Sequence, residues 1–287
     1  VSWWCSADGR AWTWEWRPYL GAWLLVGFLF AVYTWAYRSD PDFPLRRKLC
    51  ALGGIVIILI ATDWPMASLG AGYLLSVQMG RQVLIVLIAV PLLMYGAPPV
   101  VGRWLDGSQR RRSVTKVLSN PLFAVLATSG LLLAVNTPMV SDRTIISPLG
   151  SFAVDFLWIV AGVLMWFPVQ SPSPMAPRLV GPLALVYLFI QSIAPLPTSF
   201  FMTWAEYPLF ATFELAPRVV QGFSAVDDQE LASGIAQVLG GLVIWFQITA
   251  RFLHWAILRE REENATVPDF IRRADARETA RAAKTDR

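Results

Sequence analysis

Seven apolar runs, nearly free of charge, constrain this chain more than any other feature. They cover residues 19–37, 49–62, 73–95, 121–135, 152–169, 179–196 and 231–258. A helix needs roughly 20 mainly apolar residues to cross the hydrocarbon of a bilayer. The second and fourth runs are short for that purpose, and their ends are the least defined. Charged residues make up only 15% of the chain, against about 25% in soluble domains, and they collect between the runs. The expected fold is an all-α integral membrane protein, a bundle of about seven transmembrane helices. Residues 1–258 form the membrane domain and residues 259–287 a charged tail. No cleavable signal is expected ahead of the first span.

Loop charge sets the orientation. Arg38, Arg46, Arg47 and Lys48 share one side with Arg103, Arg110, Arg111, Arg112, Lys116, Arg178 and the basic tail. The other side holds Arg10, Arg17, Arg143 and Arg218. Basic loops stay in the cytoplasm, so the N-terminus is expected outside and the C-terminus inside, in a bacterial cytoplasmic membrane. The net charge of +4 needs no nucleic-acid partner, because topology and anionic headgroups explain the basic loops.

Polar residues inside spans are costly and are functional candidates by default. The third run carries Gln78-Met79-Gly80-Arg81-Gln82. Gln78 and Gln82 are four apart and should share a helix face, with Arg81 beside it. Asp155 lies at similar depth in the fifth run, one turn after Ser151, and is a candidate partner for Arg81. Asp63, at the outer end of the second run, is the other candidate. Asp227-Asp228-Gln229-Glu230 precedes the last run, where acidic residues suit a helix N-terminus. Two outer features are read structurally. Trp3, Trp4, Trp12, Trp14 and Trp16 read as an interfacial aromatic belt, and residues 198–230 as a long outer loop. In the tail, Pro268 and Asp269 would start a short helix.

Several chemistries lack their residues. His254 is the single histidine, so a bis-histidine haem or a histidine-rich metal site within the chain is excluded. Cys5 and Cys50 fall on opposite sides of the membrane and cannot pair. The methionines form no M-x-x-M repeat, and no phosphate-binding, hydrolase or dinucleotide fingerprint is present. An enzyme is not expected. Ser233, Gly234, Gly240 and Gly241 would allow close helix approach in the last span.

The order of short blocks along the chain resembles a family. Asp63-Trp64-Pro65-Met66-Ala67-Ser68-Leu69-Gly70 loosely fits an S-P-L-x-x-L-G turn. Gln78-Met79-Gly80-Arg81-Gln82 stands where that family has H-M-x-Q-H. Pro91-Leu92-Leu93, Gly96-Ala97-Pro98-Pro99 and Asn120-Pro121 follow. Then come Gly162 to Val169, as G-x-x-x-W-x-P-V, and Tyr207-Pro208, Pro217-Arg218, Asp228-Gln229 and Gly234. This pattern resembles the CtaG-type integral-membrane cytochrome c oxidase assembly factors, from about Trp14 to Arg259.

The resemblance implies an outer-facing set of histidines that serves copper placement in the oxidase. Those positions fall on Gln78, Gln82, Asn136, Ser151 and Asp155, and every one is replaced. Amide oxygens are weak ligands for copper(I). Three readings stay open. The first is a non-catalytic scaffold for a membrane electron-transfer complex, as assembly helper or lasting accessory subunit, with other membrane subunits and lipids as partners and no confident cofactor. The second is a copper-handling factor using Met79, Met139, Asp155 and Cys5. The third is a small-solute transporter with a path along Arg81, Asp155, Gln191 and Gln237.

Overall fold

The computed structural model describes residues 2–193 and 195–285, with side chains through residue 262. It is built of helices that run back and forth between two ends of one bundle. The end that receives Trp4 is called the tryptophan end, and the opposite one the arginine end.

Helix α1 (Leu20–Tyr37) leaves the tryptophan end and α2 (Leu45–Thr62) returns to it. A 47° bend leads into the short α3 (Met66–Gly72). The third pass is α4 (Leu75–Val83), a wider π turn over Leu84–Ala89, and α5 (Val90–Tyr95). At the arginine end lie α6 (Pro99–Asp106) and α7 (Gln109–Leu118), and a 74° bend opens α8 (Pro121–Val135). Next come α9 (Pro138–Thr144), α10 (Pro148–Gln170), α11 (Pro182–Ile193), α12 (Leu196–Trp204) and α13 (Ala211–Glu214). The last pass is α14 (Ala225–Gly234), a second π turn over Ile235–Leu239, and α15 (Gly240–Thr285). Among the described residues, five helices are long and apolar enough to span a bilayer, or up to seven if each bent pair is one span. The protein is a multi-pass membrane protein.

Local chemistry explains the breaks. Proline stands at the first helical position of α6, α8, α9 and α10, where its missing N–H is not needed. Asn120 caps α8 by accepting from Leu122 N and Phe123 N, and Ser147 caps α10 by accepting from Gly150 N.

The third pass is the centre. Its apolar window is 61% buried, against 11% for α1. It packs on α2, α10 and the last pass. Trp166 donates its indole N–H to the carbonyl of Val86, in the π turn, at 2.9 Å. Tyrosine hydroxyls fasten the outer helices to inner ones: Tyr33 to Leu93 O at 2.9 Å, Tyr37 to Gly96 O at 2.8 Å and Tyr187 to Met165 O at 2.6 Å. Much of the large apolar surface points outward, as on Leu24, Phe28, Trp35 and Phe246, which is where lipid solvates a spanning helix.

Four sequence expectations are corrected. The sixth pass does not end at residue 196, because Pro195 and Pro197 open α12, which carries on to Trp204. The long loop is therefore shorter, and it ends earlier too, since α14 starts at Ala225 under a capping box between Ser224 and Asp227. In the tail, Pro268 starts no new helix, because the backbone of α15 runs unbroken to Thr285; its Ala, Arg and Glu content favours that. The side chains there lie outside the described residues. The tryptophans also divide. Trp3, Trp14 and Trp16 are exposed, as a belt requires, but Trp4 is fully buried. The extended N-terminal segment folds back over the bundle end, where Gly21 N donates to Trp3 O at 2.8 Å and Ala7 N to Ile145 O at 3.0 Å.

Candidate functional site

A buried cation needs every N–H answered, because no water is at hand to do it. Arg81 is fully buried in α4, and its donors are met from four parts of the chain. Nε donates to the carbonyl of Ala61 at 2.6 Å. That carbonyl is in the last turn of α2, where helix carbonyls lack partners and the dipole favours a cation. Nη1 donates to Gln78 Oε1 at 2.8 Å, one turn earlier on the same helix. Nη2 lies 2.6 Å from Asp155 Oδ2 on α10 and 4.0 Å from Cys5 Sγ. The guanidinium carbon sits 5.6 Å from the centre of the Trp158 ring, within cation–π range.

Asp155 is equally enclosed, with its side chain 3% exposed. Oδ2 also accepts from the indole N–H of Trp4 at 3.0 Å, while Oδ1 has no hydrogen-bond partner. Ser151, one turn before it, places Oγ 3.5 Å from Cys5 Sγ. Burial pushes the Cys5 thiol up to about 11, and the nearby Arg81 charge pulls it only part of the way back. Trp4 and Cys5 thus form a lid over the pair. Gly70 on α3 gives the side chains room, because a Cβ there would stand 2.7 Å from Arg81 Cδ.

The structure brings together only part of the residue set named from sequence. Gln78, Arg81, Ser151 and Asp155 meet. Gln82 does not join them. At about 100° per residue, Arg81 and Gln82 fall on opposite sides of the Gln78 direction. Gln82 instead lines a separate cavity of about 60 Å3 with Thr128 and Gln191. Asp63 does not pair with Arg81; it caps α2 and accepts from Tyr19 N at 3.3 Å. Asn136 is the C-cap residue of α8, and among the described residues no hydrogen bond joins it to the cluster. Trp4 and the Ala61 carbonyl were not legible as site members, and Cys5 was named beside Asp155 only in the copper reading.

Asp228 and Gln229 do different work from the one their position implies. Asp227 closes the capping box of α14, whereas Asp228 caps another helix. Its carboxylate accepts from Leu75 N at 2.6 Å and from Ser76 N at 3.1 Å, at the start of α4, and from Ser76 Oγ. Gln229 accepts from Leu209 N at 2.7 Å and donates to Met202 O at 2.9 Å, which fastens the 205–224 connection. Asp142 acts similarly on α13, through Ala211 N and Thr212 N. The small-residue face of the last pass also divides. Ser233 bonds Thr203 and Ser199, and Gly240 faces Leu87 and Val83, but Gly234 and Gly241 meet nothing within 4 Å.

The donor set does not fit a copper ion. A guanidinium sits among the amide, carboxylate and thiol that would have to bind the metal, and its charge opposes a cation. Met79 is buried in the apolar packing of the tryptophan end, and Met139 is 68% exposed on α9.

Comparison with curated proteins and with solved structures gave no match. Comparison with family models matched the cytochrome c oxidase caa3 assembly factors over residues 26–257, which takes in every pass of the bundle except the start of α1. With a match over residues 26–257 of its 287, the chain belongs to the cytochrome c oxidase caa3 assembly factor family.

Proposed function

We propose that this family member is a non-catalytic membrane scaffold that supports the assembly or stability of a membrane electron-transfer complex, remaining as an accessory subunit. Family membership gives the cytochrome c oxidase assembly role. The finer reading rests on one observation: an Arg81–Asp155 ion pair at 2.6 Å occupies the place where the resemblance implies metal-binding histidines. A guanidinium with its donors already satisfied neither binds a metal nor passes one on. What is left for the chain to offer a partner is the shape of its helix bundle.

In this reading the arginine end faces the cytoplasm, following the distribution of basic residues, and the Trp4 lid faces outward in a bacterial cytoplasmic membrane. The transporter reading has less support. Gln191 donates to Tyr187 Oη at 2.9 Å, and the cavity it lines with Gln82 holds about 60 Å3, which is too small for a solute path.

The test is purification from the native membrane in mild detergent, with every co-migrating chain quantified, beside a copper(I) titration of the reduced protein. A fixed stoichiometry with a mature oxidase or related complex, and no tight copper binding, is the expected result. Association only with an unassembled oxidase subunit would make the chain a transient assembly factor. One tightly bound copper per chain would overturn the scaffold reading altogether.

A further inference from the structure

We propose that the arginine end binds an anionic phospholipid, with its phosphate in an arginine-lined cavity and an acyl chain along the apolar groove that joins it. The cavity has a volume of about 710 Å3 and is lined by Arg46, Arg47, Arg103, Arg178, Arg251 and His254. These arginines come from the start of α2, from α6, from the connection after α10 and from α15. No Asp or Glu among the described residues lines it. Among the described residues, none of the five arginines forms an ion pair. Arg46 bonds Tyr95 Oη at 3.3 Å and Arg47 stacks on the Tyr95 ring at 5.0 Å. Nε of Arg251 is buried without a hydrogen-bond partner. Converging guanidinium groups with no counter-charge repel one another, and a phosphate both neutralises them and accepts their paired N–H groups.

The second half of the site identifies the source of that phosphate. A groove of about 450 Å3 shares Tyr95, Gln170 and Gln247 with the cavity and continues along Leu92, Leu242 and Phe246. It lies between α5 and α15, inside the spanning part of the bundle. Free phosphate would leave this groove unused, whereas a phospholipid fills both parts. Basic pockets between membrane helices suit anionic headgroups. The site lies at the opposite end of the bundle from the Arg81–Asp155 pair and does not depend on what that pair does.

The test uses the full chain, purified in a neutral detergent and stripped of lipid. Native mass spectrometry and thermal melting are followed on adding phosphatidylglycerol, phosphatidylcholine with the same acyl chains, or inorganic phosphate. The expected result is retention of phosphatidylglycerol with a rise in Tm, and neither effect from phosphatidylcholine. Equal retention of the two lipids overturns the proposal. An equal rise in Tm from inorganic phosphate at matched concentration also overturns it, and identifies a free anion as the ligand. Replacing lining arginines in R47Q/R251Q should weaken phosphatidylglycerol binding by about fivefold for each residue, while R110Q, outside the cavity, leaves it unchanged. Unchanged binding by R47Q/R251Q counts against the site. If that variant does not fold, the two lipids on the wild-type chain decide alone.

Discussion

The carboxylate of Asp155 and the guanidinium of Arg81 meet at 2.6 Å with both side chains shut away from solvent. A buried pair of this kind is weak evidence of net stabilisation, but breaking it leaves a charge with no partner, at a cost of about 3–5 kcal/mol. R81Q and D155N are each expected to lower stability by about that amount. The R81Q/D155N double variant should lose less than the sum, because neither charge is then stranded. Chemical or thermal unfolding of the three variants in one detergent checks this. Additive losses would mean that the two residues act separately.

Asp228 reaches across the fold to cap α4, and the geometry predicts what its loss does. Hydrogen bonds to a charged group contribute about 1.5–3 kcal/mol. D228A removes the acceptor for two backbone amides and the Ser76 hydroxyl and should cost at least that much. D227A removes only an exposed local cap and should cost less. Hydrogen exchange at Leu75 and Ser76 separates the cases: it should speed up in D228A and stay slow in D227A.

Cys5 gives a prediction in pH. Its thiol, raised from 9.0 to about 11 mainly by burial, keeps its proton at neutral pH, and the thiolate is the reactive form. Cys5 is also fully buried, so maleimide should leave it unmodified at pH 7.5 in the folded protein and label it after unfolding in detergent. Below pH 9 the folded and unfolded chains both hold the proton. Between 9 and 11 only the folded chain does, so the contribution of this thiol to stability falls as pH rises through that window. Fast labelling of the folded chain at pH 7.5 would show that the Trp4–Cys5 segment does not cover the pair.

How far this was legible in the sequence differs by element. The spans follow from charge-free runs, because the bilayer imposes one length and one composition. The pairing of Arg81 with Asp155 follows from equal depth, since few partners exist for a buried cation. Trp4 was not legible. An aromatic residue at the bundle end has the same composition signal whether it lies in a belt or plugs the core, and only the fold-back onto Gly21 decides. The start of the last pass was legible but missed, in Ser224 followed three residues later by Asp227, which is the spacing of a capping box. The first residues of the expected loop over 198–230 are helical instead, because proline ends one helix and starts the next with equal ease. Gln82 failed on a rotation of one residue, which spacing rules of three and four do not resolve.

Close helix packing yields the last prediction, and it runs against the sequence pattern. Gly234 and Gly241 look like a packing face, yet a Cβ at either would meet nothing within 4 Å. Tight contacts lie elsewhere, among them between α2 and the third pass. A Cβ on Gly54 would stand 2.8 Å from Ala89 O, and one on Gly96 2.6 Å from the Ala51 Cβ and 2.7 Å from Arg47 O. Backbone atoms cannot swing aside as a side chain can. G54A and G96A should therefore each lose about 1–3 kcal/mol through overpacking, with no new polar group to blame. G234A and G241A should be neutral or slightly stabilising, since alanine holds a helix better than glycine by about 1 kcal/mol. Thermal melts of the four variants in one detergent check the order. If G234A and G241A were the damaging pair, that face would be covered in the purified protein, by a partner or a second copy seated on the last pass.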